Sequence, residues 1–388
     1  MVSDRISVEG LHYKDNRPLR IIVENGIIQS IEDLDVLKPG MLTIAPGFVD
    51  LQVNGYMGID FNVLVDLEEL RKVFPVLMQE GVTSFFPTII TNSFENITKL
   101  VRQIHDLRQE DELARSMIAG IHLEGPFLSK VDGPRGAHHV GFIREPNWPF
   151  FKKLNESVQG LIKIVTISPE WDGAVEFIKL AVKDNIHVAI GHTSASSEQI
   201  KRAVEAGATI STHLGNGAHP VLPRHPNYIW DQLCEDGLAA TVIADGFHLP
   251  DSVLTVFEKV KRNKLILISD SVALAGLPAG DYTTAIGGEV TMTDSGRLHL
   301  KENPLLLAGS AQSILYGVNH LLSLGLNSIS EAIDKASILP SGIVQLPQRH
   351  GLNVGAPADL ILIKTGQPRI FVMKTMKNGL FLYDKGAG

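Results

Sequence analysis

The 388-residue sequence predicts an α/β chain, a (β/α)8 TIM-type barrel with a small β-sandwich domain made from both chain termini. Three observations carry this. Eight apolar runs, at 43–53, 82–90, 117–124, 161–168, 187–192, 209–214, 239–245 and 265–270, are nearly continuous in Val, Ile and Leu, the pattern of parallel strands buried on both faces. Segments with helical spacing separate the runs, and eight such units close a barrel. Outside them, both ends of the chain read as short strands broken by hairpin dipeptides.

Residues 5–35 alternate like short strands around Asn25-Gly26, which favours the positive φ angles of a tight turn, and 350–388 do the same around Lys377-Asn378-Gly379. The small domain is therefore placed at 1–44 and 346–388, and the barrel at 45–345. Helices are expected over Asp66–Gln79, Phe94–Arg108, Gly173–Lys183 and Ser196–Ala206; in the last, Ser196 or Ser197 can cap the amino end and Gly207 the carboxyl end. An open doubly wound sheet is the competing architecture. The strand count, and polar residues spread over many strand ends, favour the barrel.

With 44% hydrophobic and 20% charged residues, the chain can bury one large core and a smaller satellite. Its net charge of -8 argues against a nucleic-acid surface, which requires a clustered basic face. The amino terminus, Met1-Val2-Ser3-Asp4-Arg5, lacks the apolar core of a secretion signal, and no apolar run approaches the roughly 18 residues of a membrane span. A cytoplasmic location is the expectation. One cysteine, Cys234, excludes internal disulfides and a thiolate metal cluster.

Four run ends carry chemistry. Glu124 closes Ile121-His122-Leu123-Glu124 just before a Gly-Pro turn, His192 and His213 lie in Gly191-His192-Thr193 and Thr212-His213-Leu214, and Asp270 ends Leu267-Ile268-Ser269-Asp270. Active sites of such barrels sit at the carboxyl ends of the strands, so these positions converge on one mouth. A carboxylate and two imidazoles are the ligand set of a hydrolytic zinc site with a fourth position open to water. A divalent cation there would acidify that water and polarise a carbonyl, and Asp270 would take the proton. Each residue alone reads better as a structural partner; four at separate strand ends do not.

Ala45-Pro46-Gly47-Phe48-Val49-Asp50, His122-Leu123-Glu124-Gly125-Pro126, Gly191-His192-Thr193, Thr212-His213-Leu214 and Ala244-Asp245-Gly246-Phe247-His248 resemble the amidohydrolase superfamily and, within it, the N-acetylglucosamine-6-phosphate deacetylase family. The resemblance spans nearly the whole chain, through Leu307-Ala308-Gly309-Ser310 to Gly355-Ala356-Pro357-Ala358-Asp359-Leu360. It implies a metal-dependent deacetylase that releases acetate from a phosphorylated amino sugar. Glu124, His192 and His213 match the metal ligands, and Asp270 the general base that later protonates the leaving amine. His138 matches a histidine that polarises the acetyl carbonyl, with adjacent His139 the alternative. Asn216, the Gly217 backbone, Arg224 and His248 match residues that hold the sugar phosphate, and Leu307 one beside the acetyl group. Family members are homodimers in which the neighbouring subunit contributes to the phosphate pocket, so the same is expected here.

Two departures from the superfamily pattern stand out. Where many members carry His-x-His after the first strand, this chain reads Gln52-Val53-Asn54, which removes two ligands for a second metal. One divalent ion is expected. Zinc suits the set best, and iron, manganese or cobalt fit the same ligands. Gln52 is assigned a hydrogen bond near the metal's water, with a purely structural role weighed equally. In the second departure, residues 214–226 lack the aromatic and alanine more usual there, which bears on the substrate: N-acetylgalactosamine-6-phosphate or another N-acyl compound is the alternative, and a non-catalytic metal-binding paralogue a further one. His219 and His225 read as structural or solvent residues, Trp148, Trp171 and Trp230 as packing residues, and 274–280 lacks the glycine spacing of a dinucleotide site.

Overall fold

The computed structural model describes residues 5–284, 288–366 and 368–386. Eight parallel strands form the central sheet: β1 (Phe48–Val53), β2 (Val82–Ile90), β3 (Ile121–Glu124), β4 (Ile162–Ile167), β5 (His187–Ile190), β6 (Ile210–Ser211), β7 (Ala239–Ile243) and β8 (Leu265–Ile268). Each pairs with its neighbour in sequence. The ring closes beyond β8, where Val53 bridges Ser271 in parallel and the Ser271 carbonyl accepts the N–H of Asn54 at 2.8 Å. The expected barrel is therefore present. Alternate side chains such as Leu51, Phe86, Ile164, Ala189, Ile210 and Ile266 fill its interior, and the opposite faces pack under the helices in the main core.

The first expected run, 43–53, divides. Thr43–Pro46 joins the terminal sheet and Phe48–Val53 begins the barrel. Gly47 makes the crossing, and a Cβ there would lie 2.2 Å from the Thr83 side chain, too close for any other residue. The helix expected over Asp66–Gln79 is also divided, into Leu67–Arg71 and Val73–Gln79. Pro75 explains this: its ring has no N–H to give the Arg71 carbonyl and collides with it. The other expected helices run over Phe94–Glu110, Ala174–Lys183 and Ser197–Glu205; Ser196 and Gln199 form a capping box on the last, and Gly207 follows it at φ 113°.

Both chain ends combine in one small β-domain. Strands 5–12, 18–24, 27–33, 43–46, 360–366, 369–377 and 380–384 join into a single hydrogen-bonded sheet of seven. Asn25-Gly26 and Asn378-Gly379 are two of its hairpin turns, all four residues at positive φ. A three-stranded antiparallel sheet, Gly280–Thr284, Gly288–Met292 and Leu298–Leu300, is inserted after β8 and was not expected from the sequence. No helix among the described residues is long and apolar enough to cross a membrane.

Candidate active site

Glu124 ends β3, while His192, His213 and Asp270 each lie two residues past the ends of β5, β6 and β8. Those last three adopt φ of 48°, 30° and 47°, a left-handed backbone that non-glycine residues enter only when their surroundings force it. Such angles swing the side chains off the strand direction toward the barrel axis. Glu124 Oε1 lies 3.0 Å from His213 Nε2 and 3.3 Å from His192 Nε2, and one ligand atom from each of the three residues falls within 4.8 Å of the others. All three are buried.

The His192 ring fixes the chemistry of this meeting. Its Nδ1 is 2.8 Å from the Pro134 carbonyl, which can only accept, so Nδ1 carries a proton and Nε2 is the nitrogen turned toward Glu124. This nitrogen and the Glu124 oxygen face each other at 3.3 Å, a contact that a shared proton or a metal ion satisfies, and the donor set suits a divalent ion with an open position. Gly217 packs edge-on against this ring, where a Cβ would come within 2.5 Å of Nδ1. Burial alone would push the Glu124 carboxyl up, but hydrogen bonds from both imidazoles hold it well below the usual carboxylate range. The same contacts raise His213 against the opposing effect of burial.

Asp270 faces the cluster from β8, and the Asn54 amide donates to its Oδ1 at 2.7 Å. Burial pushes Asp270 up to about 6; His213 pulls the other way and Glu124 adds to the rise. Gln52 donates from Nε2 to Glu124 Oε1 at 3.1 Å. His138 is buried with Nε2 3.2 Å from His192 Nε2, and burial, reinforced by His192, holds it down to about 3. His139 is exposed and its ring accepts from the Gly141 N–H instead, so it is His138 that adjoins the cluster.

The remaining expected residues are placed less uniformly. Asn216 sits three residues past His213 and donates to its carbonyl at 3.3 Å. His248, on the loop after β7, is bound through Nδ1 to Asp245 at 2.7 Å. Leu307 bridges His299, and nearby Ser310 pairs with Ser271 on the Asp270 side of the mouth. Arg224 lies exposed on the loop after His219, without a hydrogen bond or ion pair among the described residues. Residues not anticipated are Asn54 as the Asp270 partner, Pro134 as the His192 partner, and His122, whose ring bridges the Leu51 carbonyl and Thr166 beneath the site. The Gln-x-Asn spacing was the available signal for Asn54; a backbone carbonyl leaves none.

Comparison with known proteins agrees with this geometry. Residues 43–382 match the model of the amidohydrolase family. The N-acetylglucosamine-6-phosphate deacetylase of Bacillus subtilis is 32% identical over 335 residues, covering 85% of this chain and 83% of the relative, and that of Caenorhabditis elegans is 33% identical, covering 86% and 82%. Among solved structures, the Thermotoga maritima N-acetylglucosamine-6-phosphate deacetylase superposes with a TM-score of 0.85 at 27% identity, covering 98% of this chain and 100% of that one. A Mycobacterium smegmatis deacetylase variant in complex with N-acetyl-D-glucosamine-6-phosphate gives 0.84 at 25%, covering 97% and 99%. Matched along nearly its whole length, with a carboxylate and two imidazoles converging at the barrel mouth, the chain belongs to the amidohydrolase family and, within it, to the family of the N-acetylglucosamine-6-phosphate deacetylases.

Proposed function

We propose that this protein hydrolyses the acetamide of N-acetylglucosamine-6-phosphate, giving glucosamine-6-phosphate and acetate. The convergence of Glu124, His192 and His213 opposite Asp270 carries the reading. These three residues would hold one divalent cation, zinc by preference; when bound, it supplies Lewis acidity toward the amide carbonyl and acidifies a coordinated water.

The chain's own groups do the rest. Asp270, with its raised proton affinity and its orientation fixed by Asn54, accepts the proton of the attacking water and delivers it to the departing nitrogen. His138, kept neutral at physiological pH, donates a hydrogen bond to the acetyl oxygen as negative charge develops there. Gln52 holds the Glu124 carboxylate in place. Asn216, the Gly217 backbone, Arg224 and His248 bind the sugar phosphate, and Leu307 packs beside the acetyl group. The enzyme works as a cytoplasmic homodimer in this reading.

Acetate release from a panel of N-acetylated sugars, with and without phosphate and in both the gluco and galacto series, tests the proposal alongside metal analysis of the purified protein. The expected result is fast release from N-acetylglucosamine-6-phosphate and very slow release from N-acetylglucosamine. Equal rates with and without phosphate would overturn the roles of Arg224 and His248, and faster turnover of the galacto sugar would reassign the substrate.

A further inference from the structure

We infer that Glu170, outside the ligand set, is a positioning residue for His192, and that its carboxylate sets the affinity of the site for its cation; the inference rests on the reading of Glu124, His192 and His213 as metal ligands. Glu170 follows β4 and gathers the loops after β3, β4 and β5. Its Oε1 accepts from Ser129 Oγ at 2.9 Å; its Oε2 accepts from Ser168 Oγ at 2.8 Å, from the Ser194 N–H at 2.8 Å and from Ser194 Oγ at 2.6 Å. Four donors on two oxygens is the work of a carboxylate, because an amide in its place has one accepting oxygen and would aim its own N–H groups at donors.

These contacts hold the stretch of chain that leaves His192. Ser194 is two residues beyond His192, and the Ser129 N–H donates to the His192 carbonyl at 2.9 Å. Thr193, between them, lies with Oγ1 2.8 Å from Ser168 Oγ, in hydrogen-bond contact with it, and receives the Ala195 N–H at 3.0 Å. The left-handed angle at His192, φ 48°, is unfavourable for a histidine and persists only where neighbours over-determine it. The Pro134 carbonyl sets the rotation of the ring, and the Glu170 network sets the position of the backbone that carries it. For His213 the corresponding hold comes from Thr241, which receives its N–H on Oγ1 and the Leu214 N–H on the carbonyl, and from Asn216, whose N–H and side-chain amide donate to the His213 carbonyl. His192 alone depends on a carboxylate drawn from another strand's loop.

Zinc titrations of chelator-stripped protein, read by a competing chromophoric chelator, test this with Glu170→Gln and, as a milder change, Ser129→Ala. Groups that orient a metal-binding histidine typically alter affinity 10- to 100-fold. Glu170→Gln is expected to raise the zinc dissociation constant at least ~10-fold and Ser129→Ala by less, while the melting temperature of the metal-free protein changes little and saturating zinc restores most of kcat. A wild-type zinc affinity in Glu170→Gln would overturn the inference. So would a loss of affinity that tracks a fall in metal-free melting temperature across both variants, since that is what a general packing role produces. Failure of the wild-type protein to bind zinc would instead remove the ligand reading itself.

Discussion

The N–H of Asp270 donates to the carbonyl of Gln52 at 3.0 Å, so the last strand of the barrel is stitched to the first at the level of the site. The same strand end sends the Asn54 amide to the Asp270 carboxylate and the Gln52 amide to Glu124. One short segment, 52–54, thus aligns Asp270, the proposed proton acceptor, with a candidate ligand, and a barrel that failed to close would have neither in place.

Asp270→Asn keeps the shape and the closing hydrogen bond, which is made by the backbone. It removes only the capacity to take a proton. Turnover is expected to fall by ~10²–10⁴-fold or more, with metal content and circular dichroism unchanged. Wild-type-like acetate release from that variant would take Asp270 out of the mechanism.

Glu124→Gln exchanges the charged partner of two buried imidazoles for a neutral amide with a poor affinity for divalent ions. Metal content after dialysis is expected to drop from ~1 ion per chain toward zero, and activity with it. Treating the wild-type protein with a strong chelator should give the same loss, reversed by adding back zinc, manganese, cobalt or iron(II), whose relative success would rank the native candidates. Full metal occupancy in Glu124→Gln, measured by elemental analysis, would exclude it as a ligand.

The barrel and the meeting of Glu124, His192 and His213 were legible in the sequence for one reason: strands buried on both faces write continuous apolar runs, and a polar residue that interrupts the end of such a run has few purposes. What was not legible is long-range or backbone-borne. Gly47 splits one apolar run between two sheets because Thr83 crowds it, which the local pattern cannot announce. The strands at 280–300 are short and largely exposed, so they lack the apolar signature that marked β1 to β8. The supports of His192, the Pro134 carbonyl and Glu170, come from loops 58 and 22 residues away and have no motif to betray them.

Stability should carry a pH signature from Asp50. This side chain, 1% exposed on β1, accepts from the N–H groups of Gln52 and Ser269, yet burial pushes it up to about 7. An unfolded Asp titrates near ~3.9, so between about pH 4 and pH 7 the folded state holds a proton that the unfolded state releases. The stabilisation is present in full below the unfolded value and is lost as pH rises through the folded one, on the order of a few kcal/mol. Asp50→Asn keeps an acceptor for the backbone and cannot ionise. Urea titrations at a series of pH values should show the variant gaining on the wild type as pH rises from 4.5 to 7.5; parallel curves would mean that Asp50 does not titrate in this window.

The junction of the small sheet with the barrel is held by a buried ion pair, Lys377 Nζ to Asp359 Oδ2 at 2.7 Å, both side chains 2% exposed. Gln348 donates to the same oxygen at 2.8 Å, the Asn378 N–H to Oδ1 at 2.9 Å, and Lys377 also reaches Ser84 on β2 at 3.2 Å. Desolvating two charges costs about as much as their attraction returns, so the pair itself adds little net stability, but leaving one charge alone in the interior is expensive. Lys377→Met strands the Asp359 carboxylate and is expected to cost ~3–5 kcal/mol in chemical denaturation. The double variant Lys377→Met with Asp359→Leu should recover much of that loss, short of what the Gln348 and Asn378 donors forfeit. If the double variant is instead less stable than Lys377→Met, the carboxylate is anchoring the junction through those neutral donors, and the lysine is the lesser partner.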